Sequence, residues 1–156
     1  MSGLSSILDM RKRVNDLNNA LESGELMRII ISENEVSDFI TEANAEKQLY
    51  EQGINRLGVS IMDYRPYSEV TIQIKRAKGQ PVNRVTLRDT GDFHKRFYVI
   101  ANNDSFRVWS SDGKTRELYA KYGEIFGLTD ENLRNLVEQY IYPRIIKETN
   151  KYLKTK

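Results

Sequence analysis

Leu4, Ile7, Leu8, Val14, Leu17 and Leu21 recur at steps of three and four, with Arg11, Lys12, Arg13, Asp16 and Glu22 between them. That spacing predicts an amphipathic helix ending near Ser23-Gly24. Met27, Ile30 and Ile31 resume a helical face after Glu25. Val36, Phe39, Ile40, Ala43 and Tyr50 carry another as far as Gln52, where Gly53 is a natural stop. Two or three helices are therefore expected before residue 54.

Beyond residue 54 the period changes. Val70, Ile72 and Ile74 alternate with Thr71, Gln73 and Lys75, the two-residue repeat of a half-buried strand, so a strand is expected over 69–75. Lys78-Gly79-Gln80-Pro81 supplies a turn, and 84–87 is expected as a second, short strand. Phe97, Val99 and Ala101 alternate with Tyr98 and Ile100 in the next, and Asn102-Asn103-Asp104 separates that run from the strand 106–109. A helix over 115–122 with Gly123 as its stop follows. A last helix is capped by Thr129, opened by Asp130 and Glu131 at its positive end, and kinked near Pro143, which removes a backbone donor. The expected class is α+β, a single domain over 1–156: helical over 1–53, antiparallel sheet over 54–112, helical over 113–156. Leu87, Phe93, Phe97, Val99, Phe106 and Val108 are its expected sheet core.

Composition narrows the chemistry. A chain of 156 residues has room for one ordinary domain. It holds no cysteine and one histidine, His94, so disulfides, thiolate metal sites and a cysteine nucleophile are excluded and a histidine-rich metal site has no ligand set. No metal, cofactor or catalytic group is expected. No run of eighteen apolar residues occurs, so neither a spanning helix nor a secretory leader is expected. No phosphate-cradling Gly-x-x-x-x-Gly-Lys loop is present. Net charge is +2, unevenly spread: residues 1–55 hold 5 basic against 10 acidic side chains, residues 56–98 hold 9 against 4, and residues 99–156 hold 10 against 8. An acidic first third beside a basic middle can steer one copy onto another, or the middle onto a polyanion.

Asp89-Thr90-Gly91 has the residue types of an aspartic-protease turn, where two carboxylates share a proton. Arg88 before it and Asp92 after it disfavour that sharing, so the expected role is a structural turn with Gly91 at positive φ. Arg84, Arg88, Lys95 and Arg96 are interleaved with Phe93, Phe97 and Tyr98 as on nucleic-acid platforms, and a nucleic-acid-binding or regulatory module using the corner 84–98 is one reading. His94 is expected at the surface or as a capping side chain. Nine tyrosines exceed what a small core needs and suit contact surfaces. Trp109 and Tyr122, with the four basic residues, are the candidate contacts to a partner or DNA.

Three stretches in order, Gln48-Leu-Tyr-Glu-Gln-Gly-Ile-Asn55, Val85-Thr-Leu-Arg-Asp-Thr-Gly-Asp-Phe93 and Tyr122-Gly-Glu-Ile-Phe-Gly-Leu-Thr129, stand ahead of the last helix. Together they resemble small tailed-phage neck proteins of the tail-completion, head-tail joining and virion-morphogenesis families. Thr90, Gly91 and Phe93 match those families' hairpin-opening turn, and Gly127, Leu128 and Thr129 their helix cap. Lys95 and Arg96 depart from the usual small residue after the turn, and the Pro-x-Arg-Pro segment before the last helix is missing. The resemblance spans about 45–155 and implies a structural virion protein, not an enzyme, assembled in the host cytoplasm. It implies a homo-oligomeric ring joining portal or connector to tail proteins around a conduit, with non-specific contact to passing DNA and none with a membrane.

Overall fold

The computed structural model describes residues 3–154. Helix α1 (Gly3–Glu22) ends before Gly24, whose φ of +71° only glycine adopts at ease. Helix α2 (Glu25–Ser32) turns Leu26, Ile30 and Ile31 inward. Helix α3 (Asn34–Glu42) runs without a break into a π-wound stretch, Ala43–Gln52, that ends at Gly53 with φ +66°. Widening the coil lets Ala43, Asn44, Ala45, Gln48 and Leu49 all face inward. The helices expected before residue 54 are all present.

The middle of the chain departs from its two-residue repeat. After the short α4 (Ile61–Tyr64), residues 69–75 form a helix, α5 (Glu69–Ala77), and not the expected strand. Local chemistry decides it: Ser68 Oγ accepts from the Thr71 N–H at 3.2 Å, Glu69 stands in the first turn, and Lys75 and Arg76 stand in the last. Val70 and Ile74 consequently lie in solvent at 66% and 51% exposure. Residues 84–87 form no strand either. Val85 and Thr86 are buried in an irregular segment, and Leu87 takes a φ of +53° that continues no ladder.

The sheet among the described residues is thus the hairpin alone. It follows α6 (Asp92–Lys95) and pairs β1 (Phe97–Ala101) with β2 (Phe106–Ser110), antiparallel, Val99 opposite Val108. The loop closes through the Asn102 N–H to the Ser105 carbonyl at 2.8 Å. Helix α7 (Thr115–Tyr122) stops at Gly123, and Thr129 Oγ1 caps α8 (Asp130–Leu136). A π-wound turn, Val137–Ile141, joins α8 to α9 (Tyr142–Leu153). The class is α+β, with helices before and after one hairpin. Of the expected sheet core, Phe93 and Val108 are buried, and Leu87, Phe97, Val99 and Phe106 are half-buried.

Two apolar clusters meet at the hairpin. Ile30, Val36, Ile40, Val108, Leu128 and Leu136 belong to one; Leu49, Ile61, Val85, Phe93, Tyr122 and Ile125 form the other. Phe97 and Phe126 pack against both, with ring centroids 5.3 Å apart. At this junction the π-wound helix grips the segment between α7 and α8. Asn44 Nδ2 donates to the Ile125 carbonyl at 3.0 Å and its Oδ1 accepts from the Gly127 N–H at 2.9 Å. Gln48 Nε2 donates to the Gly127 carbonyl at 2.9 Å. Its Oε1 accepts from the Thr129 N–H at 2.9 Å and from Asn132 Nδ2 at 2.8 Å. Both amides are fully buried, so each bond satisfies a group that water cannot reach.

Gln48→Ala leaves the Thr129 N–H, the Gly127 carbonyl and the Asn132 amide without this partner. It is expected to lower stability by about 3 kcal/mol in urea unfolding at neutral pH. An effect below about 1 kcal/mol would show that the amide is not what holds this segment.

Candidate functional site

The corner 84–98 is assembled around a buried lysine. Tyr67 and α5 bring Lys75 beneath the segment 86–91, where its Nζ donates to the Arg88 carbonyl at 2.8 Å and to Gln80 Oε1 at 3.0 Å, and lies 5.1 Å from the centre of the Tyr67 ring. Gln80 Nε2 donates to the Asp89 carbonyl at 2.8 Å, and the Thr86 N–H donates to the Tyr67 hydroxyl at 2.9 Å. A charged group with two charge-assisted bonds and a ring face can be buried without a carboxylate partner. The result is a rigid backing for the Asp89-Thr90-Gly91 turn.

In that turn Asp89 is exposed and paired with Lys78, whose hydrogen bond holds the carboxyl below its ordinary range. Thr90 Oγ1 donates to Asp92 Oδ2 at 2.7 Å, and Gly91 has a φ of +93°. A small cavity of about 310 Å³ lies under the turn, lined by Lys75, Asp89, Asp92, Asp112 and Lys114 among others. Its lining carries charges of both signs. Among the described residues no group of three or more acidic or histidine side chains converges as a metal site would need.

Of the six candidate contact residues, the structure leaves few facing outward. Arg84 Nε donates to the Tyr50 carbonyl at 2.9 Å. Arg88 lies 4.4 Å from the centre of the Tyr50 ring and pairs with Glu46 at 3.0 Å. Trp109 is half-buried against Phe126, centroids 4.6 Å apart, and Tyr119, 5.5 Å. Tyr122 is buried at 6% exposure beneath Tyr64, whose hydroxyl donates to the Tyr122 carbonyl, so it serves the core and offers no contact. Lys95 and Arg96 are exposed. Of the interleaved aromatics, Phe93 is buried, Phe97 joins the two clusters, and Tyr98 alone of the three is open, at 41%.

His94 corrects the expected surface position. It is 4% exposed, with its ring 6.4 Å from Tyr50, 5.7 Å from Phe93 and 6.0 Å from Phe97, and neither ring nitrogen has a hydrogen-bond partner. Burial pushes its pKa down to about 4. The positive charge of Arg88 pushes the same way, the Thr86 backbone pulls against it, and Lys75 adds a smaller push downward. Asn44, Gln48 and Lys75 are further buried polar side chains that the hydrophobic periodicity does not mark. The four-residue spacing of the two amides on one helix was the available signal, shared with any polar helix face.

A large groove of about 990 Å³ runs along the outer side of the hairpin, between the segment 124–128 and helices α2 and α8. Trp109, Tyr98, Ile100, Phe126, Ile31 and Leu133 give it an apolar lining. No helix of the described residues is long and apolar enough to cross a membrane.

Comparison with known proteins corrects the family resemblance. No family model matches the chain, and no solved structure matches it. A curated protein, "Probable cell division protein WhiA" of Corynebacterium jeikeium (strain K411), is 35% identical over 66 residues, 42% of this chain. The match covers 20% of that protein's length. The likeness of 48–55, 85–93 and 122–129 to tailed-phage neck families therefore finds no support in the families or proteins that match. Its carriers are short turn and cap motifs, which the positive φ of Gly91 and the Thr129 cap explain by local chemistry.

Because unfolded histidine takes up a proton near pH 6.5 and buried His94 only near 4, the unfolded chain gains protons first as pH falls. Stability from this residue is complete above about pH 6.5 and is lost toward pH 4. Urea unfolding is expected to give about 2 kcal/mol less stability at pH 5 than at pH 7.5, and a His94→Phe chain is expected to lose most of that slope. An unchanged slope in the variant would place the titration elsewhere. Gly91→Val, forcing a branched side chain to φ +93°, is expected to lower the melting temperature by several degrees; a wild-type melt would contradict the turn.

Proposed function

We propose that the chain is a structural, non-catalytic subunit that works by assembling with copies of itself into a ring. One observation carries this reading. Helix α9 is strongly amphipathic, yet none of its described side chains is buried. Tyr142, Ile146 and Leu153 fall on one face and are 62%, 45% and 38% exposed. A soluble chain that leaves such a stripe in water recovers the lost burial by meeting another chain. The opposite signs of the first third and the middle favour head-to-tail contact between identical copies.

As the setting for the ring we propose the head–tail junction of a virion, where it joins connector to tail and lines or closes the DNA conduit. Lys95 and Arg96 support this as the exposed cations of the corner, able to touch phosphates without reading sequence. Arg84 and Arg88, held by Tyr50 and Glu46, add little to such contact.

Light scattering after size exclusion, across concentration and salt, with negative-stain images, is expected to show a closed ring, or a monomer that becomes a ring on adding connector or tail protein. A chain that stays monomeric with those partners and binds DNA with steep salt dependence would instead favour a nucleic-acid module built on the corner 84–98.

A further inference from the structure

Leu133, Val137, Tyr142, Ile146 and Leu153 are 36%, 48%, 62%, 45% and 38% exposed. A regular coil would not keep them on one face, because Val137 and Tyr142 are five residues apart. The π-wound turn does. The Tyr142 N–H bonds to the Val137 carbonyl, so Tyr142 stands one wide turn above Val137, and Ile141 is turned inward to 6% exposure. The backbone stays helical through Leu136, Ile141 and Tyr142, so α8 and α9 form one rod. Steps of four on either side of the turn, then of three and four through Thr149, complete a single apolar stripe. Twenty residues at a rise of about 1.5 Å make it about 30 Å long. The inner face of the rod is occupied: Leu136 and Ile141 are buried in the first apolar cluster and Ile145 packs against it.

Charge is divided along this rod. Residues 130–141 hold Asp130, Glu131 and Glu138 against Arg134, a net −2, and residues 142–154 hold Arg144, Lys147, Lys151 and Lys154 against Glu148, a net +3. Glu138, Lys147 and Lys154 each directly follow a stripe residue, so they line the same edge of the stripe, and all three are exposed. An anionic lipid surface would repel the first half. A partner of one sign would meet like charge at one end. A second copy laid antiparallel meets opposite charge at both ends.

We propose that this stripe pairs with the same stripe of a second copy, antiparallel, about a two-fold axis near Pro143. The stripe positions are spaced nearly evenly about residue 143. Leu133 therefore faces the partner's Leu153, Val137 the partner's Thr149, and Tyr142 the partner's Ile146. The two-fold brings the same edges together, which sets Glu138 beside the partner's turn 147–151. Parallel packing would set −2 against −2 and +3 against +3. The inference rests on the assembly reading above and names the contact that covers its exposed stripe. Being isologous, this contact closes on a pair, and a ring is built of such pairs through a second, head-to-tail surface.

Sedimentation equilibrium is expected to show the wild type dimerising and a stripe variant, Tyr142→Asp with Ile146→Asp, about a hundredfold weaker, with circular dichroism and melting checking that it folds. Glu138→Lys or Lys147→Glu alone is expected to weaken the pair about tenfold, since two equivalent contacts turn repulsive, and the two changes in one chain to restore it. A double variant no tighter than the single ones would overturn the antiparallel pairing. The chain has no cysteine, so Leu133→Cys and Leu153→Cys chains give a second readout. Cross-linking between the two is expected; cross-linking of Leu153→Cys chains to one another in preference would show a parallel pair and overturn the proposal. A folded stripe variant that associates like the wild type would also overturn it and leave assembly to another surface. A wild type monomeric at every concentration would remove the pairing, and ring formation on adding connector or tail protein then decides the assembly reading separately. A monomer that binds phosphatidylserine vesicles through the stripe would assign the stripe to lipid and overturn the pairing.

Discussion

The fold turns on two buried amides. Asn44 and Gln48, four residues apart on the π-wound helix, make five hydrogen bonds to residues 125–132. That segment joins the clusters, since Ile125 belongs to one and Leu128 to the other. An irregular backbone passing between two apolar cores has no ladder to satisfy its polar groups, and leaving them bare costs more than the apolar contacts nearby return. The amides supply what a strand neighbour would. They also explain the wide coil, which brings both inward beside Ala43, Ala45 and Leu49.

The same constraint shapes the corner 84–98. Residues 80–91 carry no regular structure, and their carbonyls at Arg88 and Asp89 are met by Lys75 and Gln80. Lys75 spends its donors on this and gives up solvent. Arg84 and Arg88 are likewise drawn to Tyr50 and Glu46. Cations that count toward a basic middle third in the sequence are thus consumed in holding a loop, and the charge left for a polyanion is smaller than the composition implies. His94 lies beside this cationic layer, and burial together with the charge of Arg88 keeps it neutral.

Much of the fold is legible in the residues, because its helices end on local chemistry: Gly24, Gly53 and Gly123 as stops, Thr129 as a cap, and Asn102–Asp104 as a hairpin loop. Residues 69–75 mislead because two patterns compete there. Alternating β-branched side chains fit a strand, but a strand needs a neighbour, and the hairpin offers none at that place, so the Ser68 cap and the basic last turn prevail. The buried amides are hidden for a different reason. On an amphipathic helix, Asn and Gln read as solvent-facing, and only knowledge of what packs opposite shows them to be interior. His94 is hidden likewise, among Lys95, Arg96 and other charged neighbours that do face water.

Pro143 stands where the helical layer changes its winding. In a regular coil its ring would press on the carbonyl of Gln139 and its missing N–H would leave a gap, which predicts a kink. The coil widens over Val137–Ile141, just ahead of the proline, with the Tyr142 N–H bonded to the Val137 carbonyl. Across this wider turn Ile141 stays buried while Arg144, one residue past the proline, reaches Glu33 at 2.6 Å and also pairs with Glu35. The Glu33 hydrogen bond raises the Arg144 pKa further, so the tie holds at any physiological pH. This pair fastens α9 to the junction of α2 and α3, and the Arg13–Lys154 bond fastens its far end to α1. A helix pinned at both ends cannot roll its apolar stripe inward. With Arg144 tied to Glu33 and Glu35, Tyr142, Ile146 and Leu153 stand in solvent at 62%, 45% and 38% exposure.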